Sequence, residues 1–233
     1  MSLKVTEQQL PLDFKNTQTK TFIDFLEGKN FVVLESLRSF IDSDETLFYL
    51  WGETGSGKTH LLQAYVTQLL ASAKTAVIIK PSELDQRQNV QLIEMFDIVC
   101  IDNVENIAQN KAREEALFFW INEIKQAGKK IILAGQLSNN SPQWQLPDLR
   151  SRLQAGRTHE LKTLNREDSL TVFKQQAENK GIKIDSKIEN YLKNNCDMNM
   201  SYLSSLLVKL DEATLVEKKQ VAIPLLKKIV LEK

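Results

Sequence analysis

A chain of 233 residues is long for one domain and short for two, so one large core with a small appendage is the natural expectation. With 42% hydrophobic and 26% charged residues it can bury a sizeable core, while its apolar runs are far too short for a membrane span. Its 30 basic and 30 acidic residues cancel, which argues against strong direct DNA binding through excess charge.

No basic start followed by an apolar stretch marks the N-terminus, so the chain reads as cytoplasmic. Cys100 and Cys196 have no partner at metal-ligand spacing and read as free thiols in a reducing compartment. His60 and His159 are equally isolated in sequence, and no zinc site is suggested.

Residues 1–20 are polar and aperiodic apart from Leu10, Leu12 and Phe14, and read as a flexible leader. From Thr21 strands and helices alternate. Leu47–Trp51 is an apolar run of strand length, and His60–Tyr65 follows with helical spacing. Thr75–Ile79 is β-rich, and Ile98–Ile101 and Lys130–Ala134 are further buried-strand candidates. Between these last two, Ala116, Leu117, Trp120, Ile121 and Ile124 recur at helical spacing, with Gly128 as the stop. Buried strands alternating with amphipathic helices predict an α/β fold with a parallel sheet flanked by helices. Beyond residue 163 no strand is expected. Leu164–Gly181, Ser186–Asn195, Met200–Glu217 and Ile223–Glu232 read as helices, with Asn165 or Asp168 capping the first and Pro224 in the first turn of the last. The expected division is a leader at 1–20, a nucleotide-binding core at 21–163 and a small all-helical lid at 164–233.

Between the first strand and its helix lies Gly52-Glu53-Thr54-Gly55-Ser56-Gly57-Lys58-Thr59, which fits G-x-x-x-x-G-K-[ST] at every fixed position. Small residues here let backbone N–H groups approach a polyphosphate at a helix N-terminus. Lys58 would reach its β and γ oxygens, and the Thr59 hydroxyl would hold Mg²⁺. A chance glycine turn is the bland alternative, and the flanking strand and helix argue against it. ADP or ATP with Mg²⁺ is the expected ligand.

Asp102 ends an apolar strand, where a carboxylate completes the Mg²⁺ shell opposite Thr59. The alternative is a strand-end Asp capping the next segment. The following residue is Asn103, whose amide can hydrogen-bond a water but cannot accept its proton near neutral pH. Glu105 would have to reach back and receives no role, so slow intrinsic hydrolysis is expected. Gln136, just past the Lys130–Ala134 strand, is a candidate polar sensor of the γ-phosphate or attacking water, or an ordinary loop glutamine. Arg150 and Arg152 offer guanidinium groups that could stabilise phosphoryl-transfer charge in a neighbouring site, or simply a solvated helix face.

Together these segments resemble the DnaA-type branch of the AAA+ superfamily, and within it the Hda group of regulatory homologues. Thr21-Phe22-Ile23-Asp24-Phe25 with Gly28 and Asn30 is similar to the family's adenine-side box, which implies a base contact for Phe22. Gly55 to Thr59 followed by His60-Leu61-Leu62 resembles the family's P-loop signature and brings His60 into the nucleotide set. Leu146-Pro147-Asp148-Leu149 through Arg152, Leu153 and Gly156 resembles the segment bearing the arginine finger, which implies that role for Arg152. Asp102-Asn103 is the pair expected of the Hda group, whereas DnaA itself carries two acids. The chain ends at Lys233, after the lid, which leaves no residues for a helix-turn-helix domain.

Gln9-Leu10-Pro11-Leu12-Asp13-Phe14 resembles the Q-L-x-L-x-F peptide that docks on the DNA polymerase III sliding clamp, with Gln9, Leu10, Leu12 and Phe14 as the contacts. The position of the family's lid-sensor arginine is occupied by Ser201. The resemblance implies a clamp-bound negative regulator that promotes hydrolysis of DnaA-bound ATP in trans, with DnaA and the β clamp as partners and a homodimer possible. The competing readings are an autonomous initiator-like or helicase-loader ATPase acting on DNA, and a nucleotide-gated scaffold without catalytic role.

Overall fold

The computed structural model describes residues 20–84, 91–217 and 223–231. Gln9, Leu10, Leu12 and Phe14 of the clamp-like peptide lie outside the described residues. Five strands form one sheet: β1 (Leu47–Trp51), β2 (Ala76–Ile79), β3 (Ile98–Ile101), β4 (Lys130–Gly135) and β5 (Arg157–Glu160). Their order is β2-β3-β4-β1-β5, and every pairing is parallel. Register sets Leu50 of β1 against Ala134 of β4 and His159 of β5. The central strands are apolar nearly throughout because helices cover both faces, as a parallel sheet requires.

Alternate side chains then feed two separate cores. Tyr49, Val99, Ile101 and Leu133 face one way, against Leu117, Trp120, Ile121 and Ile124 of α4 (Lys111–Gln126). Phe48, Leu50, Cys100 and Ile132 face the other, against Leu61, Leu62 and Tyr65 of α2 (Lys58–Ala71) and Val33, Leu34 and Leu37 of α1 (Phe31–Ser39). The period of α4 ends as expected beside Gly128, whose φ of +66° is a left-handed turn that glycine adopts cheaply. A short helix, α3 (Gln91–Met95), precedes β3, and α5 (Pro147–Ala155) precedes β5.

β5 was not anticipated. Arg157-Thr158-His159-Glu160 is polar at every position and half-buried throughout, because this is an edge strand facing α1 rather than a core strand. Its partners are equally polar: Ser36 and His159 share a 2.7 Å hydrogen bond, and Arg157 donates to the Ser36 carbonyl at 3.0 Å.

The lid comprises α6 (Arg166–Asn179), α7 (Ser186–Asn195), α8 (Met200–Glu217) and α9 (Ile223–Leu231). They close over their own core of Leu170, Phe173, Leu192, Leu203, Leu207, Leu210 and Leu226. Asn165 is the cap of α6, accepting from Asp168 N at 2.8 Å, and Asp185 caps α7 through Lys187 N and Ile188 N. Asn30, itself buried, fastens the junction between core and lid. Its Nδ2 donates to the Lys162 carbonyl at 2.9 Å and its Oδ1 accepts from Lys162 N at 2.8 Å. Among the described residues no helix is long and apolar enough to cross a membrane, and both cysteines are free.

Candidate active site

The P-loop runs from the end of β1 into the N-terminus of α2. Gly55 (φ +83°) and Gly57 (φ +101°) hold backbone conformations that L side chains rarely adopt. Their missing side chains matter as much as their torsions. A Cβ at Gly57 would stand 2.7 Å from the Phe25 ring, and one at Gly55 would stand 2.9 Å from Ser201 N of the lid. Gly52 is equally confined, since a Cβ there would meet the Leu161 carbonyl at 2.4 Å. The core segment before α1 and the lid helix α8 therefore close on the loop from two sides.

Between these surfaces lies a cavity of about 440 Å³. Thr54 to His60 form its floor, Phe25, Leu26 and Leu164 its apolar wall, and Val172, Ser201, Leu207 and Val208 its lid-side roof. One end is polar, made by Asn103, Glu105 and Gln136. A polyphosphate lying on a loop of N–H groups, with a base between apolar walls, fits this division of surface.

Lys58 is buried and turned onto its own loop, donating to the Gly52 carbonyl at 2.7 Å and the Glu53 carbonyl at 2.9 Å. Burial lowers its ammonium pKa, opposed by the nearby carboxylates of Glu105 and then Asp102. Thr59 Oγ1 donates to Asp102 Oδ2 at 2.5 Å, so the two expected Mg²⁺ residues from different elements meet at the strand end. One hydroxyl and one carboxylate suit a cation that takes its remaining ligands from water and phosphate oxygens. Among the described residues no group of three or more His, Cys, Asp and Glu side chains forms a self-sufficient metal cage.

His60 lines the cavity, its ring 5.6 Å from that of Phe25 and its Nε2 3.2 Å from the Thr21 carbonyl. Burial is the leading cause of its lowered pKa. Phe22 is not among the lining residues. Its ring packs edge-on to Tyr65 at 6.4 Å and under the Arg38 guanidinium at 5.0 Å, so it backs the wall that Phe25 lines. The sequence contained the signal for this: two aromatics three residues apart, Phe22 and Phe25, compete for one role.

Glu105 departs from the sequence expectation. Asn103 adopts a left-handed conformation (φ +56°), and a 3-10 turn over Val104–Ile107 then carries Glu105 back to the cavity. Its Oε1 accepts from Gln136 Nε2 at 2.9 Å and its Oε2 from Gln136 N at 3.1 Å. Gln136 thus sits at the polar end of the cavity, held by a carboxylate that sequence reasoning set aside.

Arg152 and Arg150 lie on α5, and neither lines the cavity. Arg152 is half-buried, with its guanidinium 5.9 Å from the Phe118 ring centroid of α4. The start of α5 is fixed by Glu114, a fully buried carboxylate accepting from Gln109 N, Gln145 N and Leu146 N at 3.0, 3.2 and 2.7 Å. In the lid, Ser201 faces Gly55, and Lys180 lines the cavity while held by Asp211 at 2.5 Å.

A strand–P-loop–helix core, an acid at the neighbouring strand end, and a helical lid over the cavity define an AAA+ nucleotide-binding module. A family model for the bacterial DnaA ATPase domain matches residues 17–163, and one for the Hda lid domain matches residues 166–230. The chain belongs to the DnaA family of AAA+ proteins and carries a lid of the Hda type. An uncharacterized protein of Haemophilus influenzae is 32% identical over 226 residues, which span 95% of this chain and 98% of that protein. Domain III of the Thermotoga maritima replication initiation protein DnaA superposes with a TM-score of 0.81 at 18% identity, covering 93% of this chain and 97% of that one. AMPPCP-bound DnaA from Aquifex aeolicus gives a TM-score of 0.69 at 20% identity, covering 88% of this chain and 68% of the other.

Proposed function

We propose that this chain is a negative regulator of bacterial replication initiation, which binds ADP or ATP with Mg²⁺ and promotes hydrolysis of ATP held by DnaA. The observation that carries the reading is the position of Arg152. It stands on α5 outside its own cavity, and it rests on Phe118 rather than reaching a phosphate in cis. A guanidinium so placed is available to a site on a second AAA+ module, where it stabilises charge developing on the transferred phosphoryl group. The Hda-type lid supports the same reading.

In the chain's own cavity, the P-loop N–H groups and Lys58 bind the phosphates. Thr59 and Asp102 would hold Mg²⁺, which would supply charge neutralisation to the bound phosphates. Phe25, Leu26 and His60 enclose the base side. The bound nucleotide then fixes the lid against the loop through the Gly55–Ser201 contact, and with it the surface offered to DnaA. The Gln9–Phe14 peptide tethers the molecule to the sliding clamp on DNA. Tethering raises the effective concentration of a weak contact, so clamp loading becomes the trigger.

An autonomous ATPase is the second reading, and Glu105 at the cavity is the observation that favours it. The decisive measurement is hydrolysis of DnaA-bound ATP with and without this chain and clamp-loaded DNA. Acceleration only in the complete mixture supports regulation in trans. Arg152→Ala should then lower the acceleration by about 10³-fold, on the scale of an arginine finger, while nucleotide binding to the variant persists. Undiminished acceleration by the variant would reduce the chain to a scaffold. Removing residues 9–14 should abolish the dependence on clamp and leave nucleotide binding unchanged.

A further inference from the structure

Two acids approach the P-loop, and they are held differently. Asp102 is engaged by the Thr59 hydroxyl, on the side where a cation would be shared. Glu105 is engaged by Gln136 through both carboxylate oxygens and lines the polar end of the cavity, which Asp102 does not line. Of the two, Glu105 bears more strongly on the Lys58 ammonium. That ammonium is the group that reaches the outer phosphates of a nucleotide on a P-loop.

The backbone is built around this placement. A Cβ at Gly135, the last residue of β4, would lie 2.9 Å from Glu105 Oε2 and 2.7 Å from Val104 Cγ2. A larger residue there would push the carboxylate out of its seat. Glycine at 135, the left-handed Asn103 and the 3-10 turn after it all bring one negative charge to one spot.

We infer that Glu105 sets how many phosphates the site accepts. Latched by Gln136, its carboxylate faces the position of a third phosphate, so a triphosphate enters against like charge and a diphosphate does not. Gln136 contributes twice: its backbone and side-chain amides hold Glu105 in place, and they are thereby withheld from the third phosphate they could otherwise bind. The inference deepens the nucleotide-binding reading above and rests on it.

The test compares the affinities of the full-length chain for ADP and for the non-hydrolysable triphosphate AMPPCP, with Mg²⁺, by calorimetry. In Glu105→Gln the ratio of the AMPPCP to the ADP dissociation constant should fall by roughly tenfold, about 1.4 kcal/mol. Glu105→Ser, which removes both the charge and the latch, should shift the ratio in the same direction and guards against a peculiarity of the amide. The side chain is only half-buried, and thermal melts of both variants report whether the fold is retained. A ratio unchanged within about twofold in folded variants would overturn the inference and leave nucleotide binding intact. Failure of the unaltered chain to bind either nucleotide would overturn the binding reading and the inference with it.

Discussion

His60 and His159 sit in different surroundings, one against Phe25 beside the P-loop and one stacked on Phe48 under α1. Burial is nevertheless the leading reason that both fall below the ordinary value of 6.5. A histidine whose folded pKa is depressed takes up its proton more readily in the unfolded chain. It therefore contributes fully above pH 6.5, and stability is lost as pH drops from 6.5 toward the folded pKa values. The melting temperature should decline between pH 7.5 and 5.5, and replacing both residues by Gln should flatten that decline. Asp24, Asp97 and Glu189, whose pKa values are lowered, Glu189 to about 2 by hydrogen bonds from Lys174 and Lys193, act in a separate and more acidic window. Their contribution is lost only as pH falls below the ordinary carboxylate range. At this scale the sequence was most legible where chemistry is local. The P-loop spacing announces Lys58 and Thr59 without any tertiary knowledge. Glu105 was illegible because its reach depends on the torsion of Asn103 and on the missing side chain of Gly135, which lies far away along the chain.

Elements are coupled here by a few buried polar groups rather than by area alone. Glu114 begins as a residue in the first turn of α4, where a carboxylate suits the helix dipole. Its oxygens then gather three N–H groups from the segments before α4 and before α5, so the pitch of the arginine-bearing helix depends on one side chain. Glu114→Ala leaves those donors unpaired in a dry place and should cost about 3 kcal/mol, read as a melting temperature lower by on the order of 5–10 °C. On the proposed function, acceleration of hydrolysis of DnaA-bound ATP should suffer more than nucleotide binding, because α5 is loosened while the P-loop is not. Asn30→Ala removes both hydrogen bonds to the Lys162 backbone and should destabilise by roughly 1–3 kcal/mol, measurable by urea unfolding. Strand β5 shows where periodicity fails as a guide. It pairs with β1 from Phe48 to Trp51, yet Arg157 and His159 bond polar groups of α1, Thr158 bonds the carbonyls of Leu153 and Gly156, and Glu160 pairs with Lys162, so none of the four fills a core.

Among the described residues, the clusters on the sheet and the cluster among the last four helices are of different construction and meet around residues 161–164. The sheet core draws its order from parallel pairing across distant segments, the lid from packing of helices that each carry their own apolar spacing. This difference explains why the lid's four helices were readable one by one, while the strand order β2-β3-β4-β1-β5 was not. Apolar spacing marks each helix, but no local pattern states which strand lies beside which. The lid lines the cavity with Val172, Leu207, Val208 and Ser201, together with Gln176 and Lys180.

The backbone of Ser201 rests directly over Gly55, at a distance that leaves no room even for a methyl group on the loop. A ligand seated on that loop meets the first turn of α8 as one of its walls. Any residue larger than glycine at position 55 would have to raise that helix to fit, so loop and lid are gauged to each other at one backbone contact.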